Sequence, residues 1–185
     1  MTFLNRTMLR MVAVVVAGVA ITAIGVSLTV ENISLERMTN ESHTIVYGTV
    51  LSSYSQWEGG NIYTYSTIRV RESLKGNNGS TVLVKQLGGT VGEVGQEVSG
   101  SPKLHRNEDV VLFLVQWNNQ LWIHSIVLGK FTVTSEDNTL VAYNDLNNIG
   151  LVDPVTHEAI TQSNLKSNHI PLRNFLSEVR SFATK

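Results

Sequence analysis

Polar turn clusters recur through the middle of this chain at strand-length intervals, and they constrain its fold more than any other feature. Glu58-Gly59-Gly60-Asn61, Asn77-Asn78-Gly79, Asn118-Asn119 and Glu136-Asp137-Asn138 each separate runs rich in β-branched and aromatic residues. Asn and Gly tolerate the positive φ that tight hairpin turns need. The runs between them read as strands: Thr44–Tyr54, Ile62–Leu74, Val82–Val84, Val110–Val115, Leu121–Leu128, Phe131–Thr134 and Leu140–Tyr143. In the second run Ile62, Thr64, Ser66, Ile68 and Val70 share one face. VVLFLV at 110–115 has no polar face, as expected of a central strand covered on both sides. About seven strands with short turns imply an antiparallel sandwich or a small closed barrel.

Two helices flank this β region. Ser34 is a good N-cap ahead of Leu35 and Met38, which predicts a short helix over 34–41. Near the C-terminus, Leu172, Phe175, Leu176, Val179 and Phe182 follow Pro171 at helical spacing and form one apolar stripe. The stripe is short and flanked only by Arg173, Arg180 and Lys185. This favours packing on the β region over a free amphipathic membrane helix. Residues 144–170 read as a long polar connection with a short strand at 150–152.

The N-terminus bears on location. Arg6 and Arg10 precede Met11–Val30, a stretch without any charge. A basic segment before an apolar run reads as a secretory signal, and Gly25-Val26-Ser27 offers a cleavage site that leaves Leu28 first. Twenty uncharged residues are also just enough to span a bilayer. A cleaved signal and a retained anchor both fit residues 1–30. Either places residues 31–185 outside the cytoplasm, in the periplasm or secreted. Membrane contact is then expected only through residues 11–30, if uncleaved.

All 15 acidic residues lie after position 30, with 12 of the 14 basic ones, so that part carries a net charge of −3. Such a surface is a poor nucleic-acid binder. The chain has no cysteine, which excludes a disulfide scaffold, a thiolate metal site and a cysteine nucleophile. The five histidines, His43, His105, His124, His157 and His169, show no metal-ligand spacing. His105 near Glu108 and Asp109 offers at most a carboxylate–imidazole pair in a loop. Gly88–Gly100 (GGTVGEVGQEVSG) lacks the Gly-Lys-Ser/Thr and the following helix of a phosphate loop, so it reads as an extended loop or bulged hairpin. No cofactor is implied.

Several blocks resemble a family of exported bacterial proteins without an assigned function. They are Ser34-Leu35 with Ser42 and Ile45–Val50; Trp57 with Ile62-Tyr63-Thr64, Val70 and Leu74-Lys75-Gly76; Gly88-Gly89, Gly92, Gly95, Val98, Gly100 and Pro102 leading to Glu108 and Leu112-Phe113-Leu114; and Phe175-Leu176 with Val179-Arg180. The glycine-containing block is the most specific. Asn107 departs from it where Gly is expected, but Asn also tolerates left-handed backbone. The pattern is more weakly similar to the netrin-like module of the tissue inhibitors of metalloproteinases. That likeness implies an OB-type barrel flanked by helices. The inhibitors' mechanism does not carry over, because it needs an N-terminal cysteine.

The combined expectation is a mainly β protein: an OB-like antiparallel β-barrel with a short N-terminal helix and a C-terminal amphipathic helix. Its expected role is a non-enzymatic binding module with a protein or carbohydrate partner in the cell envelope. The alternative is a hydrolase whose residues meet only in three dimensions. The expected contact residues are Trp57, Tyr63 and Tyr65 around the first hairpin, with Glu93 and Gln96 projecting between the glycines.

Overall fold

A computed structural model describes residues 28–146, 149–152, 155–156, 158–160 and 169–184. The segment assigned above to an export signal or anchor therefore lies outside the described residues up to position 27, as does His157. The protein is mainly β, with a short helix toward the N-terminal side and a C-terminal helix. Among the described residues no helix is long and apolar enough to cross a membrane.

Helix α1 spans Leu35–Glu41, and the Ser34 hydroxyl accepts from the Arg37 amide, as the N-cap reading requires. The last three residues of the uncharged run belong to a strand: β1, Leu28–Glu31, pairs in parallel with β11, Ile149–Val152. The latter includes the strand expected at 150–152, and the two-residue β12, Ala159–Ile160, pairs beside it.

The main sheet is built on two long strands, β2 (Thr44–Glu58) and β3 (Asn61–Lys75). Gly59 and Gly60 join them at φ 55° and 86°, so both central residues take the left-handed form of a type I′ turn. Asn118-Asn119 (φ 49° and 58°) does the same between β7, Asp109–Trp117, and β8, Gln120–Ile123. Asp137-Asn138 (φ 47° and 62°) joins β9, Lys130–Glu136, to β10, Thr139–Tyr143. Asn77-Asn78-Gly79 behaves differently. Residues 76–80 make a longer loop into β4, Thr81–Leu87, in which Gly76 carries the positive φ of 82°. The Asn78 amide instead donates to Ser73 Oγ and the Lys75 carbonyl.

The pairings run β7–β2–β3–β4–β8 and return to β7. All are antiparallel except β4–β8, a two-residue parallel ladder of Val84 with Leu121 and Lys85 with Trp122. Beyond β7 the sheet continues through β9 and β10 to β13, Ile170–Pro171. Strands β8 and β9 pair with successive halves of the same edge of β7. Residues 124–129 interrupt them, so the strand expected over Leu121–Leu128 ends at Ile123. Ser125 and Ile126 adopt φ 49° and 54°, followed by a short 3-10 turn, Ile126–Gly129. This break lets β8 bend toward β4 while β9 continues toward β10.

Alternation along β2 and β7 feeds two apolar clusters. Val46, Val50, Ile68, Val82, Val84, Val110, Leu112 and Leu114 form one cluster. Ile45, Tyr47, Val111, Phe113, Phe131 and Val133 face the other way. They pack with Met38 of α1 and with Leu172, Phe175, Leu176 and Val179 of α2, Leu172–Ala183. This explains the all-apolar 110–115 run, since both faces of β7 are covered. Pro171 is the N-cap of α2, and Phe175 is fully buried against Phe131 and Phe113.

Candidate functional site

The far end of the β2–β3 hairpin has two chemically distinct faces. Residues paired across an antiparallel ladder share a face, and faces alternate along each strand. Tyr54 opposes Tyr65, Gln56 opposes Tyr63 and Glu58 opposes Asn61. Across β3–β4, Tyr65 opposes Lys85, which in turn pairs with Trp122 of β8. Trp122 shares its face with Trp117. Register thus gathers Tyr54, Glu58, Tyr63, Tyr65, Lys85, Trp117 and Trp122 on one outer surface.

The rings on that surface are in mutual contact. Tyr54 stacks on Tyr65 at 5.3 Å, while Trp122 meets Tyr63 edge-on at 6.0 Å and Trp117 at 5.8 Å. Lys85 Nζ lies 4.1 Å from the Tyr63 ring centre, 5.2 Å from that of Tyr65 and 5.6 Å from Trp122. A cation over several rings is attracted by their negative faces. The Glu58 carboxylate accepts from Lys85, from the Tyr65 hydroxyl and from Gln56 Nε2. The Lys85 bond, followed by those from Tyr65 and Gln56, lowers the Glu58 pKa to about 2. The same bond to Glu58 raises that of Lys85, and burial followed by the Glu58 carboxylate raises that of Tyr65. Tyr65 is buried beneath this network, yet Tyr54 remains 53% exposed and Trp117 63%. Among the described residues the buried Trp122 indole N–H finds no hydrogen-bond partner.

Trp57 lies on the opposite face. It pairs with Ile62, in line with Ser55–Thr64 and Ser53–Ser66. All three expected residues lie at this hairpin, but one position along the strand reverses the face, and half-exposed Trp57 points away from the tyrosines. Behind Trp57 this side carries hydroxyl pairs, Ser53 with Ser66 and Ser55 with Thr64. Thr64 Oγ1 donates to the Gly88 carbonyl, which spends its only proton, so Ser55 Oγ donates to Thr64 at 2.9 Å. A short hairpin lies above them, formed by β5, Gly89–Val91, and β6, Val94–Gln96. A Cβ on Gly89 would come within 2.4 Å of both Thr64 Oγ1 and Ser55 Oγ, so glycine is what permits this approach.

Glu93 is exposed in the tight turn of that hairpin beside Gly92, whose φ is 61°. Gln96 does not project as expected. Its Oε1 accepts from the Ile62 amide at 2.7 Å and its Nε2 reaches Asn61, so it anchors the hairpin to β3. A cleft of about 500 Å³ opens between this hairpin, the ends of β3 and β4, and residues 101–104.

The remaining groups are local. Glu108 accepts from the His105 backbone amide rather than its ring, and also from Thr132 and Lys130. Asp109 is held by Thr49 and Arg71. Ser125 Oγ lies 2.7 Å from His124 Nδ1, and His124 Nε2 lies 3.3 Å from Glu41. This Ser–His–Glu chain ties the interruption at 124–129 to α1, and none of the three lines the cleft described above. Among the described residues no three His, Asp or Glu side chains could hold a metal ion. No protein-family model matches the chain, and no curated protein matches it.

Proposed function

We propose that this chain is a non-enzymatic binding module built on an OB-like β-barrel and working outside the cytoplasm. The cyclic pairing of β2, β3, β4, β8 and β7 supports the barrel, and the apolar cluster on those strands suits its interior. The resemblance to the netrin-like module supports the OB type, with residues 31–185 as the exported domain. Basic Arg6 and Arg10 before the uncharged run support export.

The observation that carries the binding role is the pair of exposed rings, Tyr54 and Trp117, each braced against a second ring of the Lys85 cluster. Aromatic groups fixed before contact lose little entropy on binding. Lys85 is already neutralised by Glu58, so this face offers no cationic track for nucleic acid. A protein or carbohydrate of the cell envelope is the partner class. The test compares capture from envelope extract by the wild type and by the Tyr54→Ala/Trp117→Ala double variant. Loss of a specific partner at an unchanged urea midpoint supports the proposal. Equal capture by both overturns it.

A further inference from the structure

The cleft under the β5–β6 hairpin has its own chemistry. Thr64, Ser66 and Gln86 line it, together with residues 87–90 and 95–98. The ionisable residues in its lining are Glu97 and Lys103. These pair with each other at 3.5 Å and are largely exposed, so the walls are electrically neutral. Gln86 is only 7% exposed. Its Nε2 donates to the Pro102 carbonyl at 2.7 Å, which fixes the orientation of the amide. Among the described residues its Oε1 takes no donor, and that oxygen is not sealed from solvent. The cleft thus holds an oriented acceptor on a largely buried side chain, open to whatever fills the cleft and without a donor among the described residues. An oxygen so placed is available to a donor from outside the chain, whether water or a ligand hydroxyl.

We infer that this cleft binds an uncharged oligosaccharide, with Gln86 Oε1 accepting from a sugar hydroxyl and Trp57, on the same strand face as the lining Thr64, forming an aromatic platform. A charged ligand would be desolvated against walls without a counter-charge. A purely apolar ligand would strip water from Gln86 Oε1 without replacing its hydrogen bond. A sugar supplies both hydroxyl donors and an apolar C–H face, and Trp57 stands on the Ser55–Thr64 face with half its surface free. The volume of about 500 Å³ suits a small ligand. The inference rests on the reading of the chain as a binding module, but not on the Tyr54–Trp117 face.

The experiment is an amide and indole NMR titration of the full chain. The probes are maltotriose, cellotriose and triacetylchitotriose, with trigalacturonate and trialanine as charged and peptidic comparators. At least one neutral trisaccharide is expected to shift the amides of residues 87–90 and 101–103, the Gln86 side-chain amide and the Trp57 indole. Trigalacturonate and trialanine should bind at least tenfold more weakly. Trp57→Ala, a change at a half-exposed position, should weaken the neutral ligand at least fivefold with the remaining spectrum intact. Gln86→Met should abolish binding. Equal binding of either comparator, or no cleft shift with any of the three sugars, overturns the inference. Shifts confined to Tyr54 and Trp117 also overturn it, while leaving the binding-module reading standing. Partner capture, measured separately, decides that reading.

Discussion

The two halves of β2 are continuous in sequence and opposite in design. From Thr44 to Val50 every residue is buried, because the strand has an apolar cluster on each side. From Leu51 to Glu58 none is buried, and the strand projects with β3 as an arm. The first half gains stability from two-sided apolar burial. The second is held by an ion pair, stacked rings and hydroxyl pairs, and leaves Tyr54 and Trp57 free. Side chains leave water to make the core, and rings that stay in water are available to a partner; one strand does both by running out of cover halfway along.

This contrast predicts a graded set of effects. The largest is in the covered half. Phe175→Ala, which empties the site between α2 and the sheet, should cost about 3–5 kcal/mol. An unchanged urea midpoint would mean that α2 does not stabilise this half. On the arm, Gly89→Ala forces a Cβ onto Thr64 and Ser55 at a φ of 139° and should cost about 1–3 kcal/mol. Hydrogen exchange should show the loss concentrated in the β5–β6 hairpin. Uniform loss across the sheet would contradict the arm's independence.

Acid should separate the halves as well. Glu58 titrates near 2 in the folded chain against 4.5 ordinarily, so its contribution is complete above pH 4.5 and is lost as pH falls toward 2. Glu58→Gln should flatten stability in that window. In the covered half, burial holds the His124 pKa below its usual 6.5, so the unfolded chain takes up a proton there first. Stability from this site therefore declines as pH drops through 6.5, and His124→Gln should remove that earlier limb. Urea midpoints measured across pH 2–8 test both limbs, and identical profiles for the wild type and either variant would refute the corresponding assignment. The smallest effect belongs to the exposed groups: Trp57→Ala and Glu93→Ala should each change stability by no more than about 0.5 kcal/mol. A larger loss would make them scaffold.

Local chemistry made part of this legible. The two-residue turns followed from Gly and Asn in sites that demand positive φ, α1 from the Ser34 cap, and α2 from its stripe. Asn107 adopts a left-handed φ of 66°, a conformation that Asn tolerates better than most residues. The division between Trp57 and the tyrosines was present in the sequence too. Counting across the Gly59-Gly60 turn pairs Trp57 with Ile62, and so with the other face. The Lys85 cluster was not legible. It depends on the β3–β4 register, set by a five-residue loop, and on a parallel contact with Trp122, which no local pattern encodes. The same holds for Gln96, whose partner Ile62 lies 34 residues away.

The two-residue ladder between β4 and β8 is also a statement about the order of assembly. The β2–β3–β4 meander and the β7–β8 hairpin are each joined by short loops and can form early, whereas residues 84–85 must find 121–122 across a long stretch of chain. Until they meet, both strands present unpaired backbone that could template pairing with another molecule. During folding the chain is most open to mispairing at this narrow seam, where the two pieces complete the cycle and neither strand is left as a bare edge.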